Sequence, residues 1–280
     1  MNDKYSAALK AVIAGSVFLV GYLTSDILKF AGLRRVLGSA EFNLLVNFLQ
    51  IAFCTGAIIF VYRTGLKGAL SELGLWRSPF KRAIVFSLIA TLPMLIGFAA
   101  TSNLAAGLSL VNILAFTVIS PLAEEVLFRG YIFRQLYRRV KTGFWPAVLL
   151  PSLLFALGHL YQSKGVWDFV AITLITGLGG VLFSWVFMRW KDNLWVPFGL
   201  HFLMNFWWEI FAVDDTALGG WVANIARFLT VAAAIFLTLY KDRFWKPLPV
   251  EEENIAEIKA PADQTGKISF SAGEMIFGEK

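Results

Sequence analysis

Apolar residues in this chain come in long blocks rather than isolated positions. A membrane-spanning helix needs about 20 mostly apolar residues, and about eight such blocks stand at roughly 11–28, 42–62, 83–103, 108–133, 144–161, 166–188, 194–212 and 221–240. The fifth and seventh are short, so tilt, a partly interfacial position or a break is expected in each. The pattern predicts an all-α, polytopic membrane protein with about eight transmembrane helices. Between the second and third blocks, "SELGLWRSPFKR" at residues 71–82 reads as a short amphipathic connector on the cytoplasmic side. From about residue 247 the chain is polar, carries "EEE" and loses helical periodicity, so residues 247–280 are expected to be a disordered cytoplasmic tail. Residues 1–246 then form one multi-pass domain, with no convincing repeat and no second domain.

Composition strengthens the membrane reading. Hydrophobic residues make up 58 % and charged residues 16 % of the chain, and the 15 % aromatic content suits lipid faces and interfacial belts. The charged share is well below the roughly 25 % of ordinary soluble proteins. Mean hydropathy is +0.66. The net charge of +6 is spread between apolar blocks instead of being gathered in one patch, which argues for a lipid bilayer as partner and against nucleic acid. One cysteine, Cys54, excludes an intrachain disulfide and any multi-cysteine metal site. The first block has no clear small-residue cleavage site, so it is expected to be a retained helix.

The loops give an orientation. Arg63, Lys67, Arg77, Lys81 and Arg82 follow the second block, and Arg134, Arg138, Arg139 and Lys141 follow the fourth. Arg189 and Lys191 follow the sixth, and Lys241, Arg243 and Lys246 the eighth. The loops between them are poor in positive charge, Arg34 and Arg35 in the first loop excepted. The positive-inside rule puts both termini in the cytoplasm of a cell-membrane protein.

Against this apolar background the fourth block carries Glu124, Glu125 and Arg129. One charged side chain at the centre of a spanning helix costs about 2.5–3.5 kcal/mol, so three within six positions must face the bundle interior or a wet cavity. Glu125 and Arg129 are four apart, on one helix face, with the acid first; an internal ion pair is expected. Glu124 is turned about 100° away and is left over, free to act as a general base or acid. A structural charge cluster locking helices together is the plain alternative. Both histidines of the chain, His159 and His201, fall in predicted apolar helices. Asn205 lies one turn after His201, and the pair supplies donors suited to a developing oxyanion. Glu209 extends that stripe to the end of the helix and reads as interfacial.

Counting about 1.5 Å per residue from the cytoplasmic ends puts Glu124 and His201 at similar depths and His159 nearer the far side. "TGLGG" at residues 176–180 reads as a small-residue packing patch, and Pro121 as a candidate kink. Phosphate-binding, dinucleotide, GxSxG and HExxH signatures are absent.

The stretches "EEVLFR" (residues 124–129), "FALGH" (155–159) and "HFLMN" (201–205) occur in the order of the EExxxR, FxxxH and HxxxN motifs. With them the chain resembles the CPBP family of CAAX-type prenyl endopeptidases and bacteriocin-processing enzymes, also called Abi, over a motif core of about residues 75–212. The resemblance implies an intramembrane endopeptidase. In it Glu124 would activate the attacking water with help from His159, His201 and Asn205 would stabilise the oxyanion, and Glu125 and Arg129 would hold the site. The expected substrate is a membrane-associated peptide or protein. The family has been described both as metal-free glutamate peptidases and as metalloproteases. Using Glu124 as a ligand would leave no free base, so no cofactor is expected; the alternative is zinc held by Glu124, His159 and His201. A non-proteolytic scaffold or bacteriocin self-immunity protein, and a proton-coupled transporter, are the readings from other classes.

Overall fold

A computed structural model describes residues 6–76 and 79–245. The tail expected from residue 247 lies outside the described residues, as do Arg77 and Ser78 of the connector. The described part is all helix and turn, with no strand among the described residues. In chain order the helices are α1 (Ala7–Tyr22), α2 (Thr24–Phe30), α3 (Ser39–Tyr62), α4 (Leu66–Glu72), α5 (Phe80–Thr101), α6 (Leu110–Val140), α7 (Phe144–Leu157), α8 (Val166–Arg189), α9 (Trp195–Ile210), α10 (Trp221–Leu239) and α11 (Lys241–Phe244).

Among the described residues six helical segments are long and apolar enough to cross a membrane: α3, α5, α6, α8, α10, and α7 together with the turn that follows it. The pair α1 and α2, bent by 49° at Leu23, makes a seventh if it is one span. The remaining predicted block is α9, whose 16 residues reach about 24 Å, short of a hydrocarbon core of about 30 Å. The chain is a multi-pass membrane protein. Its surface agrees: Phe60 is 86 % exposed and Trp167 84 %, beside many exposed Leu, Ile and Val, an apolar face that suits hydrocarbon and not water.

Helix α6 runs through the middle and touches α1, α3, α7, α8 and α9. Every residue of Val126–Phe133 is buried, so the second half of α6 is core and not lipid face. This centre is filled by Phe18, Ile58, Leu127, Phe128, Phe133, Phe155 and Phe187 with their neighbours. A second cluster, including Phe86, Phe183, Trp190 and Leu200, joins α5, α8, α9 and α10.

The connector before α5 does not lie flat on the surface. Leu73 is fully buried, and Leu194 N–H donates to Gly74 O at 3.0 Å. Gly74 has φ +79°, and a Cβ there would stand 2.2 Å from Asp192 O, so only glycine fits. The end of α6 is clamped to the same place. Arg139 donates to both carboxylate oxygens of Glu72, at 2.8 and 2.6 Å, and Arg138 donates to both of Asp192, at 3.1 and 3.2 Å. Arg134 donates to the carbonyls of Ser71, at 2.9 Å, and Glu72, and lies 3.4 Å from Asp192. Basic residues read as topological signals are thus also the anchors of α6.

Helices α7 and α8 meet through the small-residue patch. A Cβ on Gly180 would come within 2.7 Å of Ser152 Oγ and 3.1 Å of its Cα, whereas one on Gly179 would meet nothing within 4 Å. Gly180→Ala should therefore destabilise the purified protein by about 1–3 kcal/mol, because α7 must move. Gly179→Ala should leave the thermal unfolding midpoint level or slightly higher. Equal midpoints for the two variants would contradict this packing.

Candidate active site

The paired glutamates sit on the one stretch of α6 between Ile113 and Val140 that keeps ordinary α winding over more than a residue, Ser120–Glu125. Ile113–Ile119, Val126–Phe133 and Gln135–Val140 are wound more widely, with i→i+5 hydrogen bonds, a geometry that tends to mark functional sites. Pro121 stands inside α6, where its missing N–H removes one helical hydrogen bond, and the helix continues through it.

Glu125 has no exposed surface, and its Oε1 accepts from Arg129 Nη1 at 3.0 Å, the ion pair expected from the spacing. The same oxygen lies 2.9 Å from Nδ1 of His201, a contact that sequence spacing does not reveal. A carboxylate engaged by Arg129 can only accept, so Nδ1 carries the proton. The other ring nitrogen, Nε2, faces Glu124 Oε2 at 3.7 Å, too far for a direct hydrogen bond. The Glu124 side chain is 30 % exposed, so two neighbours in sequence have opposite environments, one sealed and one reachable.

Arg129 is enclosed by three rings. Its guanidinium carbon lies 4.8 Å from the centroid of Phe155, 5.3 Å from Phe183 and 5.9 Å from Phe128. A cation over aromatic faces gains back part of the lost hydration. Nε and Nη2 of Arg129 and Oε2 of Glu125 have no hydrogen-bond partner among the described residues, so the rings replace water there instead of other polar groups. Phe183 also packs on His201, with centroids 5.2 Å apart. Phe155 is the first residue of the FxxxH motif, but Phe183 belongs to no motif and sequence reasoning missed it.

His159 is not on a helix. Helix α7 ends at Leu157, and His159 stands in the turn before the short helical turn Leu160–Gln162. The segment Phe144–Gln162 as a whole is long and apolar enough to span, as expected for 144–161, but His159 itself lies just beyond its α-helical part. Its Nδ1 lies 2.8 Å from Phe155 O and so carries the proton, leaving Nε2 as a lone pair. Phe155 stands between the two imidazoles, 4.6 Å from His159 and 6.3 Å from His201. No hydrogen bond or ion pair joins His159 to Glu124 among the described residues. Asn205 follows His201 by one turn on α9, half-buried and without a hydrogen-bond partner among the described residues. Glu209 is exposed near the end of α9. Among the described residues no three His, Cys, Asp or Glu side chains are grouped so as to hold a metal ion, so Glu124, His159 and His201 do not fit zinc as arranged.

Comparison with known proteins finds a similarity over the segment that holds this site. Residues 105–207, which hold Glu124, Glu125, Arg129, His159, His201 and Asn205, match the family described as Type II CAAX prenyl endopeptidase Rce1-like. Over that segment the chain is similar to the Rce1-like CAAX endopeptidase family. It is 26 % identical over 152 residues to YdiL of Bacillus subtilis strain 168, provisionally named a membrane peptidase, covering 54 % of this chain and 51 % of that one. It is 37 % identical over 93 residues to the membrane-embedded CAAX protease MroQ of Staphylococcus aureus USA300, covering 32 % and 34 % of the two chains. A third relative, the uncharacterized YpbD of Bacillus subtilis strain 168, is 34 % identical over 98 residues, 35 % of this chain and 43 % of its own. The chain thus spans about half or less of the length of these relatives. No solved structure matches it significantly.

Removing Glu125 would leave Arg129 buried without a counter-charge and His201 without its anchor. Glu125→Ala should cost about 3–5 kcal/mol. Glu124→Gln, at a partly exposed group with no direct bond, should cost under about 1 kcal/mol. Denaturation of both variants in lipid nanodiscs tests this, and equal losses would refute the division between them.

Proposed function

We propose that the chain is an intramembrane endopeptidase in which Glu124 activates water to hydrolyse a peptide bond near or within the membrane. The observation that carries the reading is the sequence of contacts Arg129, Glu125, His201, Glu124 inside an apolar bundle, ending on a reachable carboxylate. Ionisable groups are costly in lipid-embedded helices, and an array of them there is by default a functional site.

Glu124 takes a proton from water as the oxygen attacks the carbonyl carbon, and His159, through its unprotonated Nε2, assists in holding that water. The tetrahedral oxygen is met by the Asn205 amide and by His201. The geometry sets a condition on His201: with Nδ1–H given to Glu125, its Nε2 donates only when the ring is an imidazolium. Two carboxylates are then balanced by Arg129 and His201, a neutral set suited to low dielectric. When the C–N bond breaks, the proton held by Glu124 passes to the leaving amine. Glu125 and Arg129 position His201 without touching substrate.

The relatives' names, a membrane peptidase and a membrane-embedded CAAX protease, support a peptidase, for which a membrane-associated peptide or protein is the proposed substrate; with Glu124 as base and not ligand, the mechanism requires no metal. Both termini on the cytoplasmic side follow if α9 completes an eighth crossing. Glu124→Gln should lower cleavage of a membrane-inserted peptide library by about a hundredfold or more while the protein stays folded. Full cleavage by that variant would overturn the mechanism. Elemental analysis of active protein should find no stoichiometric metal, and cleavage should survive exhaustive chelation; loss of activity restored by zinc would reverse that conclusion.

A further inference from the structure

Two asparagines of α3 point at α6 beside the glutamates, in a part of the chain outside the matched residues 105–207. Asn47 Nδ2 donates to Asn43 Oδ1 at 2.8 Å and to Ser120 Oγ at 2.9 Å, and the Ser120 hydroxyl donates to Asn43 Oδ1 at 3.0 Å. These bonds occupy both donors of Asn47 and both lone pairs of Asn43 Oδ1. Left over are a donor, Asn43 Nδ2, and an acceptor, Asn47 Oδ1. Neither takes a partner among the described residues, and neither is sealed inside the protein.

Ser120 and Glu124 are four apart on the α-wound stretch, so they share a face and are separated by about 6 Å along the helix. Both are partly exposed in an otherwise apolar span. An extended peptide covers about 6–7 Å in two residues. A segment being cut must be extended near the scissile bond, and within the membrane its freed N–H and C=O groups find no water. Each would cost several kcal/mol unless the protein supplies a replacement. One donor and one acceptor held by a rigid triad are that replacement; an interhelical clamp alone would need neither.

We propose that Asn43, Asn47 and Ser120 form a subsite for the backbone of the substrate. Asn43 Nδ2 donates to a peptide C=O, and Asn47 Oδ1 accepts a peptide N–H, about two residues from the scissile bond. The inference rests on the endopeptidase reading.

The test uses the full chain in lipid nanodiscs, with a synthetic library of apolar peptides of about 20 residues as probe. Cut sites are read by mass spectrometry. One cleaved peptide is remade with single backbone esters, each replacing one N–H by oxygen. An ester at one position about two residues from the cut should raise KM by about tenfold, the value of one hydrogen bond, and change kcat less. Asn43→Asp keeps the acceptor that Asn47 and Ser120 use and removes the free donor. It should raise KM by a similar factor, and the sensitive ester should still add its own penalty, since it removes the separate bond to Asn47 Oδ1. A flat ester scan on the unaltered protein, with cutting that Glu124→Gln abolishes, overturns the subsite alone. Absence of any cutting overturns the endopeptidase reading and the subsite with it. If Asn43→Asp does not fold, the ester scan decides by itself: a penalty confined to that position supports the subsite, and a flat profile refutes it.

Discussion

A single carboxylate oxygen, Oε1 of Glu125, receives both Arg129 and His201 in a place that no solvent reaches. An isolated charge there would cost several kcal/mol, so each of the three groups is tolerable only because the others are present. Arg129 and Glu125 come from α6 and His201 from α9. The rings that cover Arg129 add α7, through Phe155, and α8, through Phe183. Four helices therefore meet on one ion cluster, and their relative rotation is fixed by it more sharply than by apolar packing, which accepts small shifts.

The clamp at the end of α6 complements this centre. Glu72 and Asp192 hold three arginines, and Gly74 lets the backbone of the connector pass against Asp192. Lys191 and Asp192 both take left-handed backbone angles, near φ +57°, a strain that the surrounding contacts must offset. Fixing the end of α6 also fixes the height of Glu124 and Glu125, because the helix between them and Arg134 is buried throughout.

Hydropathy made the eight helical blocks legible because it reports length and polarity, and i,i+4 spacing made the Glu125–Arg129 pair legible because both residues ride on one helix. The His201–Glu125 contact was not legible, since it joins residues 76 positions apart and depends on how α9 lies on α6. The wide winding of α6 was hidden for a similar reason: a change in hydrogen-bond register leaves no mark in hydropathy. His159 was placed on a helix because its neighbours are apolar, but α7 ends at Leu157 and the chain turns at Gly158. Arg134, Arg138 and Arg139 were read only as loop charges, for their acidic partners lie 54 to 67 residues away. Asn43, Asn47 and Ser120 drew no notice, because uncharged polar residues scattered in apolar blocks carry no pattern until two helices are brought together.

The two glutamates show how little sequence separates anchoring from reactivity. They differ by about 100° around one helix, which is enough to seal one against Arg129 and leave the other 30 % exposed toward Nε2 of His201. The α winding of Ser120–Glu125 maintains that angle between wider turns on either side. Wider winding places successive residues at smaller angles, so the same pair on a widely wound stretch would lie closer around the axis and compete for Arg129. His201 reads the difference directly: its Nδ1 is held by the sealed carboxylate, and its Nε2 is thereby aimed at the open one. The anchor engages Nδ1, so Nε2 is the nitrogen left to meet a developing charge, and it does so as the donor of an imidazolium.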